Sequence, residues 1–317
     1  MDGEADAIGT GTRVAGLAWR PVEIDLARHE WESAAQAHAE RADRLTAGHR
    51  QRRLTGTPHA VEDFLFTYYR FSPTALRRWS PGVGVRLRDA VGSEIARQRF
   101  MVTTGQDARV DRTAYLQERG ELARFVRELV IATAHRAPQW GCFARHEWAM
   151  VYRMTPEQVR HQSVPLRLDP READAVVEAA PLVCTHFDAY RFFTEPARPR
   201  NTRTLTRDAV VQHEQPGCLH AGMDLYTWAM KLAPGIPSEL ALDCFELAMR
   251  LRELDMRASP YDVTSLGHTP IAIETPTGRA EFTALQREYA ASAQVLRQRL
   301  ADACDLVLAE ELDAQRQ

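Results

Sequence analysis

Apolar side chains in this chain recur at steps of three and four residues over most of its length. That period suits the α-helix, whose turn brings such positions onto one face. From Leu26 to about His49 the face is Trp31, Ala34, Ala35, His38, Ala42 and Leu45. Thr57-Pro58 pairs a capping hydroxyl with proline at the first helical position, and Val61, Phe64, Leu65, Tyr68 and Tyr69 follow in register. Ser72-Pro73 starts a shorter helix that carries Leu76 and Trp79. The period returns from Asp111 to His135 through Leu122, Phe125, Val126, Leu129 and Ala132.

Further helices are predicted from Cys142 to Tyr152, from Leu219 to Leu232 and from Ser238 to Met256, with Gly235 and Pro237 between the last two. Thr155-Pro156 and Asp169-Pro170 read as helix entries, and Thr275-Pro276 opens a long amphipathic helix towards Leu308. Alternation replaces this period in few places. Val83, Val85 and Leu87, then Phe100 and Val102, predict a small β-hairpin between Val83 and Thr103. Val164 to Leu168, Leu182 to Cys184, and Ile271 with Ile273 read as short strands. Residues Thr194 to Thr204 read as a loop. The expected fold is therefore mainly α: a single helical domain over residues 21–317 with a small β-hairpin and a few short strands. Residues 1–20, acidic and rich in small side chains, are expected to form a disordered leader.

Charge and cysteine usage narrow the function classes. The net charge is −3, which gives no global basic field for nucleic acid, although Arg41, Arg44, Arg50, Arg52 and Arg53 share one early segment. The five cysteines are widely spaced, with no CxxC pair, so neither a zinc ribbon nor a disulfide framework is indicated and a cytoplasmic location is expected. No apolar run is long enough to span a bilayer. Gly-rich phosphate loops and the GxSxG elbow are missing too, so no nucleotide cofactor is implied.

Chemistry-bearing residues gather between Cys142 and Asp262. His146 and Glu147 lie on a predicted helix, His186 and Asp188 where a strand meets a helix, and His220 and Asp224 one turn apart on another helix. Three imidazoles with carboxylates converging between helices would hold Fe, Mn or Zn as a divalent ion. The expected ligands are His146, His186, Asp188, His220 and Asp224, with Glu147 as general acid/base or further ligand. Arg191 would grip an anionic group on a small-molecule substrate. Taken singly, each His–carboxylate pair is more simply structural; the three together bring ligation level with that reading, and a metal-dependent oxygenase or hydrolase is the leading expectation. Cys184 and Cys218 each precede a histidine by two residues, and buried thiols are the simpler reading of both.

The chain also resembles an actinobacterial family labelled 3-methyladenine DNA glycosylase. The likeness rests on Phe64-Leu65-Phe66-Thr67-Tyr68-Tyr69, His146-Glu147-Trp148-Ala149-Met150-Val151-Tyr152-Arg153, Cys184-Thr185-His186-Phe187-Asp188-Ala189, Glu214-Gln215-Pro216-Gly217-Cys218-Leu219-His220, and the run from Arg252 to Asp262. The resemblance implies excision of alkylated purines from DNA. Pro81-Gly82-Val83-Gly84 would then be a phosphate-gripping hairpin, and Asp111 or Asp255 would stabilise the developing sugar cation. DNA is a partner under that reading alone. A third possibility is a non-catalytic module that binds a small ligand.

Overall fold

The computed structural model describes residues 24–155, 158–159 and 164–314, the last five of these by backbone only. It is mainly α with a small sheet. The expected leader, residues 1–20, and much of the Thr155-Pro156 helix entry lie outside the described residues.

Helix α1 (Arg28–Thr55) begins where Glu30 reaches back to accept the Ala27 N–H at 2.7 Å, and it ends at Gly56. Its Trp31, His38, Ala42, Thr46 and His49 are buried. Helices α2 (Phe64–Tyr68) and α3 (Pro73–Leu76) are shorter than the period suggested. Ser72 caps α3 by accepting the Ala75 N–H. Helix α4 (Arg112–His135) is capped by Asp111, whose carboxylate accepts the Ala114 N–H at 3.0 Å. The other long helices are α9 (Leu219–Leu232), α10 (Ser238–Arg257) and α11 (Pro276–Ala314). Their faces close the main core around Tyr226, Phe245, Leu251, Phe282 and Leu300, all at most 2% exposed. Helix α9 sits close against α10 because Gly222 has no side chain. A Cβ there would meet Leu251 Cδ1 at 2.6 Å.

The sheet differs from the expected hairpin. Strands β1 (Ile24–Leu26), β2 (Val85–Leu87), β3 (Met101–Thr104) and β4 (Asp107–Val110) lie in the order β1-β2-β4-β3. The hairpin is β3–β4, turning at Gly105, whereas β2 pairs with β4 and, in parallel, with β1. Alternation located β2 and β3 but could not say which strand each would meet; the left-handed turns at Asp89 and Phe100 redirect the chain between them. Pro81-Gly82-Val83-Gly84 leads into β2 and not into a helix. The Val83 N–H is taken by the Gly235 carbonyl at 3.0 Å.

The helix expected from Cys142 to Tyr152 is confined to α5 (Arg145–Ala149). Phe143 and Ala144 both have left-handed backbone, which cannot join a right-handed helix, and Arg153 is left-handed at the other end. Of the short strands, Leu166 and Leu182 each make one isolated bridge, to Tyr261 and Asn201. Ile271 and Ile273 are in no strand: both side chains fill the core while the Ile271 N–H bonds the Arg257 carbonyl. Helices α6 (Pro170–Glu178), α7 (Phe187–Tyr190) and α8 (Val210–His213) complete the frame.

Candidate functional site

Four elements bring the candidate residues together. Helix α5 carries His146 and Glu147, and Arg145 anchors it. The buried Arg145 guanidinium donates to the carbonyls of Val176, Val177, Ala180 and Pro181 at 2.7–3.2 Å, tying α5 to the end of α6. Carbonyls at a helix C-terminus have no partners within their own helix, which is why a cation suits them. His186 sits at the N-terminus of α7. His220 and Asp224 lie one turn apart on α9, and Arg252 and Asp255 three residues apart on α10.

Two groups form within this cluster. In one, His146 Nε2 and Asp255 Oδ1 are 2.8 Å apart, while His146 Nδ1 is 3.4 Å from Cys142 Sγ. Asp255 is fully buried, and its second oxygen meets Arg252 Nη1 at 3.3 Å; the same nitrogen meets Glu147 Oε1 at 3.1 Å. The Phe64 ring lies 3.8 Å from the Arg252 guanidinium, a cation–π contact. In the other group, His186 Nε2 stands 3.1 Å from Asp224 Oδ2 and 3.4 Å from Glu214 Oε1. Tyr69 donates its hydroxyl to Asp224 Oδ1 at 2.8 Å. His220 links the groups: its ring is edge-on to His146 at 4.6 Å and stacked on His186 at 5.2 Å.

Ionisation follows from this packing. Burial opposes a charged ring at His146, but the charge and hydrogen bond of Asp255, with the neighbouring Cys142, outweigh it and hold the imidazole well above its usual range. Burial likewise opposes charge at His186, yet the hydrogen bond and charge of Asp224, with Glu214, lift it to about 9. Glu214 is pushed up to about 7, chiefly by burial. Burial and the neighbouring His146 depress His220 to about 3, so its ring is neutral. Burial and the charge of Asp255 raise Glu147, against the pull of Arg252. Asp255 itself is held below its usual range despite burial, because His146 more than compensates.

The three predicted histidines pack ring against ring, but their ligating atoms fall into two groups and not around one point. His146, His220 and Asp255 offer metal-ligating atoms within 4.8 Å of one another, and so do His186, Glu214 and Asp224. Asp188 and Arg191 stand apart: they pair with each other at 2.8 Å, Arg191 donates to the Tyr68 hydroxyl, and its guanidinium lies over Phe192. Arg191 is thus already engaged by protein groups, and Asp188 belongs to neither metal-ligating group. Asp224 turns to His186, not to His220 one turn away on its own helix. Glu147 is a salt-bridged carboxylate beside the cluster. Sequence reasoning gave no role to Glu214, Tyr69, the Cys142–His146 contact or Arg252, although it singled out the segment that carries Arg252. Local signals existed for Cys142 with His146, at i,i+4, and for Arg252 with Asp255, at i,i+3.

The donor set of His186, Glu214 and Asp224 could hold a metal ion. With bonds of about 2.1 Å, adjacent ligand atoms around one ion lie roughly 3.0–3.4 Å apart. The His186–Asp224 and His186–Glu214 contacts, 3.1 and 3.4 Å, fall in that range. The His146–Asp255 contact, at 2.8 Å, is that of a charge-assisted hydrogen bond. The Nδ1 atoms of His186 and His220 are buried without a hydrogen-bond partner, which leaves lone pairs or protons unanswered in the heart of the cluster. Family models, curated proteins and solved structures were all compared with this chain, and none matches it. Among the described residues no helix is long and apolar enough to cross a membrane.

Proposed function

We propose that the chain is a divalent-metal-dependent enzyme acting on a small molecule, with His186, Glu214 and Asp224 as the ion's ligands. The observation that carries this reading is the spacing of those three side chains, all buried and brought from three separate segments. The two buried carboxylates repel each other and hold a proton on His186, and a divalent ion that displaces this proton would compensate both. One nitrogen and two oxygen donors suit Fe(II), Mn(II) or Zn(II). Such an ion, when bound, supplies Lewis acidity for hydrolysis or a site for dioxygen chemistry.

The chain's own residues do the rest. The Tyr69 hydroxyl holds Asp224 in one orientation through Oδ1, leaving Oδ2 for the site. His186 is fixed where the backbone enters α7. His220, neutral and stacked on His186, separates it from the charged His146–Asp255 pair. Arg252 compensates Glu147 and Asp255, so the neighbouring group is balanced without a metal.

Elemental analysis of protein purified without added metal tests the reading. Bound Fe, Mn or Zn is expected in the unaltered chain, and its loss in His186→Ala and Asp224→Asn. Metal-free protein, or variants that keep their full metal content, would sink the proposal.

A further inference from the structure

The half-buried Cys142 lies outside the metal-ligand set, yet its surroundings are those of a reactive thiol. Its Sγ is 3.4 Å from His146 Nδ1. The other ring nitrogen, Nε2, is 2.8 Å from Asp255 Oδ1, and Arg252 fixes the second Asp255 oxygen. Thiol, imidazole and carboxylate thus stand in one line, each within hydrogen-bond reach of the next. In this order the base touches the nucleophile and the carboxylate orients the base. Both His146 nitrogens are committed, one to each neighbour.

Three further observations place this line in a site. Cys142 and His146 line one narrow cleft, whose cavity of about 10 Å³ has room for a single water-sized group, together with Val183, Leu219 and Phe282. Among the residues lining it none carries a carboxylate or a guanidinium, so His146 is the one charged group that Cys142 meets there. The same cleft is lined by Gln286, which is 2% exposed and whose Oε1 has no hydrogen-bond partner, although its Nε2 is held by the Gly217 carbonyl. That oxygen is a buried acceptor left without a partner in the wall of the cleft. The two residues after Cys142, Phe143 and Ala144, have φ of 47° and 54° without being glycine. Such backbone persists where surrounding structure enforces it, and it gathers at active sites.

We infer that Cys142, His146 and Asp255 form a nucleophilic triad that transfers a small acyl group through a thioester on Cys142. Sγ attacks the carbonyl carbon of an ester, thioester or amide, forming the S–C bond. The proton shared between Sγ and His146 Nδ1 passes to the departing alcohol, thiol or amine as its bond to that carbon breaks. Water then attacks the acyl-cysteine carbon, the C–S bond breaks, and a proton returns through His146 to Sγ. The sum is an acyl compound and water giving a carboxylic acid and the leaving group, with no oxidant or reductant. Asp255 keeps the ring in place and is a positioning residue. The inference does not rest on the metal reading.

The test is the chain as purified, mixed with p-nitrophenyl acetate. The triad predicts a burst of p-nitrophenolate equivalent to the protein, with acetyl mapped by peptide mass to Cys142. The burst is expected to vanish in Cys142→Ala and to slow at least ~100-fold in His146→Asn. It should persist after treatment with a chelator, so that failure here and failure of the metal reading are told apart; dependence on metal would overturn the triad as an independent unit. A measurement on the unaltered chain guards against a variant that does not fold. Iodoacetamide should modify Cys142 at least tenfold faster than Cys218, the other half-buried thiol. No burst, acetyl on other residues only, or equal alkylation of the two thiols would remove the proposal.

Discussion

His146 Nε2 and Asp255 Oδ1 lie 2.8 Å apart although 109 residues of chain separate them. Both side chains are at most 5% exposed, and each shifts the other towards its charged form. A buried pair of this kind contributes little over an apolar replacement, but breaking it strands the surviving charge. Asp255→Asn would leave the buried His146 without its carboxylate, while Arg252 keeps Glu147. The expected loss of stability is about 3–5 kcal/mol. Urea denaturation of the two proteins measures it, and a loss under about 1 kcal/mol would contradict the pairing.

A separate ion pair, Asp63 with Arg52, predicts a pH dependence. Asp63 accepts from Arg52, from the His59 N–H and from His49, and these contacts overcome burial to bring its carboxyl from 3.8 to about 2. The folded value lies below the unfolded one, so the contribution is present above the unfolded pKa and is lost as pH falls from about 4 towards about 2. Its size is on the order of 1–2 kcal/mol after screening by solvent. The stability difference between the unaltered chain and Asp63→Asn should shrink across that window and stay flat above it. An unchanging difference would show that Asp63 is not the titrating group.

Close packing of α9 on α10 sets the relative positions of Asp224 and Asp255. Gly222→Ala places a methyl group 2.6 Å from Leu251 Cδ1, and Leu251 is itself 2% exposed with little room to yield. Overpacking of this kind costs about 1–3 kcal/mol. Because Gly222 lies between His220 and Asp224, metal retention should fall along with the melting temperature. Retention of both at the parent level would mean the helices part without disturbing the cluster.

Tyr69 reaches Asp224 from a different part of the chain and has no other role in the site. Tyr69→Phe keeps the ring and removes the donor. Under the metal reading this lowers metal affinity about 10–100-fold, as loss of a hydrogen bond behind a ligand generally does. Competition with a fluorescent chelator measures it. An affinity within a factor of about two of the parent would argue that Asp224 does not ligate.

The local code determined the helices. Periodicity and caps located α1, α4, α9, α10 and α11, because each hides one apolar face and its signals lie within a few residues of the chain. The mainly α class followed from them, and so did the two His–carboxylate positions one turn apart or adjacent, His220 with Asp224 and His146 with Glu147. The sequence could also nominate three imidazoles for one site. Tertiary structure alone decided partners. Asp224 chose His186 over the His220 on its own helix, Asp188 turned away to Arg191, and Glu214 entered from a loop that carries no periodic signal. The strands behaved alike: alternation found β2 and β3, but β4 came between them. A side chain's neighbour along the helix is fixed by geometry, whereas its neighbour across the core depends on how whole faces pack, which no short window of sequence contains.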